Sequence, residues 1–495
     1  MARGVAMMQP RPSRAVAWTL LGQGGARVLG LLLTLLLARG LAARAEYGAY
    51  VWAVAVASAC ALVCSLAGEP VLRRVLPDLW REGRTGEVRA LARRHLCLRI
   101  GMIAAAAASF AAFPGAFGGP AAAEGVSRSH LLALVWGLGA ALALRGLVRE
   151  GILESRLDHA ATERWGLGAG AARLALTLVI LLHGGGVLWV LAAWLAVEGA
   201  QLAVLAVRAL RLLRGGPGAA PGGLPPGFVR GTWVYSALIT AAFALEDNLL
   251  DPLMLGALRG ADDLGLWGIA AAFGAIPGAL AAGQLLRPVL LPLLSQGGAD
   301  ASARRAEWVR RFSLWSLASA LPVAAWICVF AEPLLRHAAG PGFVAGAPTL
   351  RLLACSGVAS VLYLPLGMAV RATDRLGVTL VAALLPLLHA AANVWLVPAW
   401  GVAGAALGAA AVQFGTLGYY LIVARRIDPA WVRVDISSAG KIAALAGALC
   451  VSGILAAPRI GGPGALVSCA LVFAAMYGLG LFALRVRLLD PLPPS

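Results

Sequence analysis

The sequence predicts an all-α, polytopic membrane protein: about 14 transmembrane helices, in two pseudo-symmetric six-helix bundles plus two appended C-terminal helices. Three observations predict it. First, charge is scarce: of 495 residues, 60% are hydrophobic and 13% charged, with a mean hydropathy of +0.82. A soluble protein of this size carries about 25% charged residues. Half that fraction cannot cover a water-facing surface, so most of the surface faces lipid. Second, apolar runs recur from Ala15 to Leu484. Third, the arginines concentrate in alternate connections between those runs.

The spans are expected at 15–38, 48–71, 96–118, 130–152, 166–183, 185–207, 231–256, 264–293, 312–333, 349–370, 376–397, 402–424, 441–457 and 464–484. Each is near the roughly 20 residues that a bilayer core requires. Arg3, Arg11 and Arg14 before the first run superficially fit a signal peptide. That run is too long for one and carries Arg27 in its middle, so it reads as an uncleaved membrane helix.

The net charge is +18, almost all of it arginine, since Lys441 is the only lysine. In a soluble protein such an excess raises nucleic acid as a partner. Here, with the N-terminus placed in the cytoplasm, 28 basic residues fall in cytoplasmic segments and 7 in external ones. That asymmetry is topology signalling, and a missed helix would have inverted every later loop. Both termini are therefore expected to be cytoplasmic, and no nucleic-acid partner is expected.

The longest linker, 215–230, runs from Gly215-Gly216-Pro217 to Pro225-Pro226-Gly227 and reads as flexible and cytoplasmic. It separates an N-terminal bundle (1–214) from a C-terminal bundle (231–430); 431–495 holds the two appended helices and the tail. The bundles share a pattern. Ala45-Glu46-Tyr47-Gly48-Ala49-Tyr50 is matched by Asp262-Asp263-Leu264-Gly265-Leu266-Trp267, acidic, large apolar, Gly, then aromatic, at an offset of 217. Gly186-Val187 with Glu198 and Arg211 is matched by Gly401-Val402 with Gln413 and Arg426 at an offset of 215. An even number of helices per repeat makes the halves parallel, related by an axis along the membrane normal; transporters of this kind place a substrate site between the halves.

The seven cysteines all fall inside or at the edge of apolar spans, with no zinc-ligand spacing. They read as small lipid- or helix-facing residues. No phosphate-cradling Gly-x-x-x-x-Gly-Lys is present, which argues against ATP hydrolysis. No external loop is long enough for the catalytic domain that membrane glycan enzymes need. The chain is expected to be a transporter without enzymatic activity, cofactor or bound metal.

The order and spacing of several motifs resemble the polysaccharide flippases (Wzx type) of the multidrug/oligosaccharidyl-lipid/polysaccharide exporter superfamily. The residues are Gly22 to Tyr50, Asp251-Pro-Leu-Met-Leu-Gly256, Leu264 to Trp267, Gly342-Phe343 through Leu353, Asn393 to Pro398 and Trp400 to Ala405. The resemblance covers residues 15–424. It implies paired bundles, alternating access, and an undecaprenyl-pyrophosphate-linked oligosaccharide as substrate in the bacterial inner membrane. It further implies a place in cell-surface polysaccharide biosynthesis (O-antigen, lipopolysaccharide or exopolysaccharide), beside polymerase or export partners. A cation-coupled multidrug or metabolite exporter, a flippase for the lipid-linked peptidoglycan precursor and a membrane enzyme of polysaccharide assembly stand as alternatives.

Ionisable residues inside spans are costly and mark pathways. Arg27, in the first span after Gly22-Gln23-Gly24-Gly25, is expected to face a cavity between the bundles and hold pyrophosphate through its planar guanidinium. The bland alternative pairs it with Glu198. Arg173 in the fifth span is a second candidate cation. Arg145 and Arg287 are further substrate candidates; like Arg99 and Arg149 they lie near cytoplasmic ends, where snorkelling to the interface is the bland reading. Gln23 and Asn393 are polar candidates for the same substrate. In the seventh span Glu246, Asp247 and Asp251 put two acids on one face. With Glu198 they are candidates for a proton or sodium coupling site, against a salt-bridged structural role. His389 shares a face with Asn393 and is expected to be a satisfied core residue.

Overall fold

The computed structural model describes residues 12–41, 43–65, 68–112, 127–156, 158–214, 234, 249–281, 294, 301–373, 376–382, 384–433, 435–457 and 462–484. Among these the backbone is helical almost throughout and contains no strand. In chain order the first elements are α1 (Pro12–Gly40), α2 (Arg44–Ser65), α3 (Gly68–Arg81), α4 (Thr85–Ala112), α5 (Arg128–Gly146), α6 (His159–Leu182) and α7 (Val187–Arg214). Then come α8 (Leu250–Leu258), α9 (Ala261–Gly274), α10 (Ile276–Leu280), α11 (Ala301–Ala338), α12 (Ala347–Arg371), α13 (Leu376–Ala382), α14 (Leu385–Ile427), α15 (Ile436–Ala456) and α16 (Pro463–Ala483).

Among the described residues, 12 helical segments are long and apolar enough to cross a membrane, and the chain is a multi-pass membrane protein. The seventh expected span, 231–256, lies mostly outside the described residues. The twelfth is continuous with the eleventh in α14, where Gly401 (φ 56°, ψ −133°) breaks the helix. That conformation is one a side chain resists. A Cβ on Gly408 would sit 2.9 Å from the His389 ring, so the arm 402–427 folds back along 385–400.

Three boundaries differ from the hydropathy reading. The second span ends at Ser65, and 68–81 forms the separate helix α3. Its face of Val71, Leu72, Val75, Leu76 and Leu79 is buried against Leu147, while Arg73 and Asp78 on the other face are exposed. A helix buried on one side only reads as loop to a hydropathy window. α4 starts at Thr85 and α11 at Ala301, ahead of their apolar stretches at 96 and 312. Each is extended by a charged, exposed lead-in that hydropathy cannot see.

The chain forms two compact units: Met1–Leu36, Ala53–Gly118 and Glu124–Ala244 in one, Leu37–Trp52, Gly119–Ala123 and Leu245–Ser495 in the other. In the first, Val135, Leu138, Val190, Leu191 and Trp194 are buried on α5 and α7. In the second, α11 carries the appended helices, with Leu314 and Ala318 packed among Ile442, Ala446, Leu449, Phe473 and Tyr477.

Within the second unit the two copies of the repeated motif touch. A Cβ on Gly48 would collide with Ala261 O, and a Cβ on Gly265 would lie 2.6 Å from Arg44 O. Since 261 and 265 are 44 and 48 displaced by 217, the contact is reciprocal, as in a two-fold interface. Arg44 adds an ion pair to Asp262 at 3.1 Å and a hydrogen bond to Gly342 O at 3.1 Å. Backbone stands where a Cβ would go, so Gly265→Ala is expected to destabilise by about 1–3 kcal/mol, the usual cost of overpacking. Gly447→Ala, in a helix with nothing within 4 Å, is the control. It is expected to be neutral or to stabilise by about 0.5–1 kcal/mol. Melting of the purified protein in detergent checks both.

Candidate functional site

In the first unit, charge converges on α5, α6 and α7. At the end of α5, residues Leu147–Leu153 form a π-helical turn. Such turns widen a helix and re-aim its side chains, and they cluster at functional sites. Just before it, Arg145 pairs with Glu198 of α7 at 2.9 Å and also reaches Gln201 Oε1 at 3.4 Å. Trp194 Nε1 donates to the same Glu198 at 3.0 Å. From within the turn, Arg149 pairs with Glu163 of α6 at 2.9 Å and with Glu154 at 3.3 Å. Arg173, further along α6, lays its guanidinium over the Trp194 ring, 4.4 Å from the centroid, a cation–π contact.

Among the described residues the cluster leaves polar atoms of both kinds without hydrogen bonds: Glu198 Oε2, held only in the ion pair with Arg145, and two donors. Glu198 and Gln201 are buried, and among the described residues Gln201 Nε2 and Arg173 Nε are buried with no hydrogen-bond acceptor. A buried donor without a partner costs about 1–3 kcal/mol.

A second cluster lies in the other unit. Asp251 on α8 is fully buried. Asn393 Nδ2 donates to its Oδ1 at 2.6 Å, His389 Nε2 lies 3.0 Å from the same oxygen, and Asn393 and His389 are 2.9 Å apart. Asp251 Oδ2 and Asn393 Oδ1 are buried and accept from no donor among the described residues. Here the surplus is of acceptors, which suits a cation or a proton. No group of three or more His, Cys, Asp or Glu converges as a metal site among the described residues.

The expected residues are distributed as follows. Arg145, Arg173 and Glu198 come together. Glu198 is held by Arg145 rather than Arg27, which corrects the pairing weighed from the sequence. Arg99, Arg145 and Arg149 do not snorkel outward; each is paired inside. Arg99 is 2% exposed and pairs with Glu69 at 2.8 Å, because three helices meet there and give it carbonyls as well: Ala143 O and Ser65 O. Arg27 is exposed on α1, and Gln23 is partly buried. The side of α1 carrying Gly25 packs on α6, where a Cβ would lie 2.6 Å from Leu167. Arg27 is two residues on, across the helix from that contact. Asp251 and Asn393 meet each other and His389, which sequence spacing tied only to Asn393. Arg287, Glu246 and Asp247 lie outside the described residues. Sequence reasoning missed Gln201 and Trp194; the signal was there, since 194, 198 and 201 share one face of α7 with an acid already singled out.

The fold is similar to that of solved membrane transporters. Among solved structures, the lipid II flippase MurJ in an inward closed conformation superposes with a TM-score of 0.72, over 94% of this chain and 98% of that one, at 12% identity. A multidrug resistance MATE family transporter of the MOP superfamily, inward-facing, gives 0.58 over 82% and 95% at 12% identity. A MATE in complex with MaL6 gives 0.53 over 87% and 99% at 14% identity. No protein-family model matches the sequence, and no curated protein matches it.

Proposed function

We propose that the chain is a flippase that carries an undecaprenyl-pyrophosphate-linked oligosaccharide across the bacterial inner membrane by alternating access, for cell-surface polysaccharide assembly. The carrying observation is the convergence of Arg145, Arg149 and Arg173 in the first unit, with Arg173 Nε and Gln201 Nε2 buried and without an acceptor among the described residues. Guanidinium groups bind phosphate oxygens through paired hydrogen bonds. Arg27 serves the same headgroup from α1. The buried Asp251–Asn393–His389 cluster takes up the coupling ion. A second reading, a flippase for the lipid-linked peptidoglycan precursor, draws support from the superposition on the lipid II flippase over nearly the whole chain. Both substrates carry the pyrophosphate that the arginines fit.

Complementation in two hosts tests this, one lacking its oligosaccharide-lipid flippase and one depleted of its peptidoglycan-precursor flippase. Growth or glycan display restored in the first host alone supports the main reading; rescue of the second alone moves the substrate to the second reading. Arg27→Ala is expected to abolish rescue with the protein still inserted, and Arg27→Lys to keep part of it, since lysine offers charge without the planar fork. Rescue of neither host by a stably inserted protein, or full rescue by the alanine variant, would count against the assignment.

A further inference from the structure

The second unit also holds a pair of thiols that the transport reading does not use. Cys328 on α11 and Cys355 on α12 stand with their sulfurs 3.7 Å apart, both unbridged. Their helices are antiparallel neighbours, joined through the turn at Gly340 to Gly346. Glu332 and Arg351 form an ion pair between the same helices at 3.0 Å. One helical turn inward on each helix brings Cys328 and Cys355 opposite each other, and another brings Ala324 and Ala359, both buried. Alanines at that level let the helices approach closely, which sets the thiols in contact. Arg351 reinforces the register, its Nε donating to Cys328 O at 3.1 Å. Cys355 is exposed and Cys328 partly so.

We propose that Cys328 and Cys355 are a reversible dithiol–disulfide site, oxidised by exchange with a disulfide oxidant such as oxidised glutathione or a thiol oxidoreductase. Here Cys328 lies beside Arg351 and is partly exposed, and the exposed Cys355 is in contact with it, an arrangement found in redox-responsive pairs. A disulfide needs about 2.05 Å between sulfurs. The two sulfurs, 3.7 Å apart, must close to that distance. One thiolate attacks the oxidant's disulfide and releases one thiol; the second thiolate then displaces the other half. In sum the protein thiols lose two protons and two electrons, and the oxidant's disulfide becomes two thiols. The bridge ties α11 to α12, and a reductant reopens it.

The test uses the full chain in membranes, treated with oxidised glutathione while folded, then denatured, alkylated, and digested without reduction. Mass spectrometry is expected to find one cross-linked peptide pair joining Cys328 to Cys355, with the other five of the seven thiols alkylated. The link should vanish on reduction and in Cys328→Ser and Cys355→Ser, and persist in Cys450→Ser. Cys450, on α15, is the control thiol of the same unit. Seven alkylated thiols in oxidised, folded wild-type protein would overturn the proposal, and so would a link from Cys355 to Cys450. Neither result bears on the substrate, so failure here leaves the flippase reading untouched.

Discussion

Arg145→Ala is expected to cost about 3–5 kcal/mol of stability and to abolish transport, because it strands a carboxylate inside the first unit. Glu198 is 5% exposed, and Arg145 is the cation that pairs with it. Removing one member of a buried pair leaves an uncompensated charge, which is why the loss exceeds the net value of the pair itself. The double variant Arg145→Met/Glu198→Gln separates fold from function. Glutamine keeps an oxygen for Trp194 Nε1, and methionine fills the arginine's stem volume, so stability should return to within about 1 kcal/mol of wild type. Transport should not return if the guanidinium binds the headgroup. Melting in detergent reads the first quantity and glycan-export complementation the second. A double variant that regains both would reduce Arg145 to a structural role.

Arg173→Ala isolates the other half of that argument. Its guanidinium rests on the Trp194 ring, and among the described residues no carboxylate lies within ion-pair distance of it. Loss of a cation–π contact costs about 0.5–2 kcal/mol, much less than a stranded carboxylate. The two arginines thus differ in what holds them: Arg145 by charge within the protein, Arg173 by a ring face. The second arrangement leaves more of the guanidinium's hydrogen bonding open to a ligand.

The fold was legible because two signals, apolar run length and arginine placement, report the membrane directly and act over tens of residues. Neither registers a helix half-buried against protein, and α3 went unseen for that reason. The clusters were half legible. Periodicity placed His389 and Asn393 on one face, and Asn393 lies 142 residues from its partner Asp251. Likewise Arg145 reaches Glu198 across 53 residues. Side-chain spacing within one helix cannot say which neighbouring helix supplies the partner. Arg99 shows the same limit: near the end of a span, burial and snorkelling look identical until Glu69 and the two carbonyls are brought to it.

Asp251→Asn is expected to leave the protein inserted and folded while removing the response of transport to an ion gradient. The exchange is nearly isosteric, and the new amide oxygen can still accept from Asn393, now 2.6 Å from Asp251 Oδ1. What disappears is the charge. An unpaired carboxylate in a buried site costs several kcal/mol or more, so Asp251 needs a positive partner in every state the protein visits. A proton shared with His389, 3.0 Å away, is one such partner. A sodium ion between Asp251 Oδ2 and Asn393 Oδ1, the two buried oxygens without donors among the described residues, is the other. His389→Gln distinguishes them. Under proton coupling it should abolish stimulation by a pH gradient, since glutamine does not titrate. Under sodium coupling, stimulation by a sodium gradient should survive it, since both oxygens remain. Transport of a lipid-linked substrate in vesicles, with each gradient imposed separately, reads both variants. If Asp251→Asn transports and responds to gradients as wild type does, the cluster is a structural contact between α8 and α14 and the coupling site lies elsewhere.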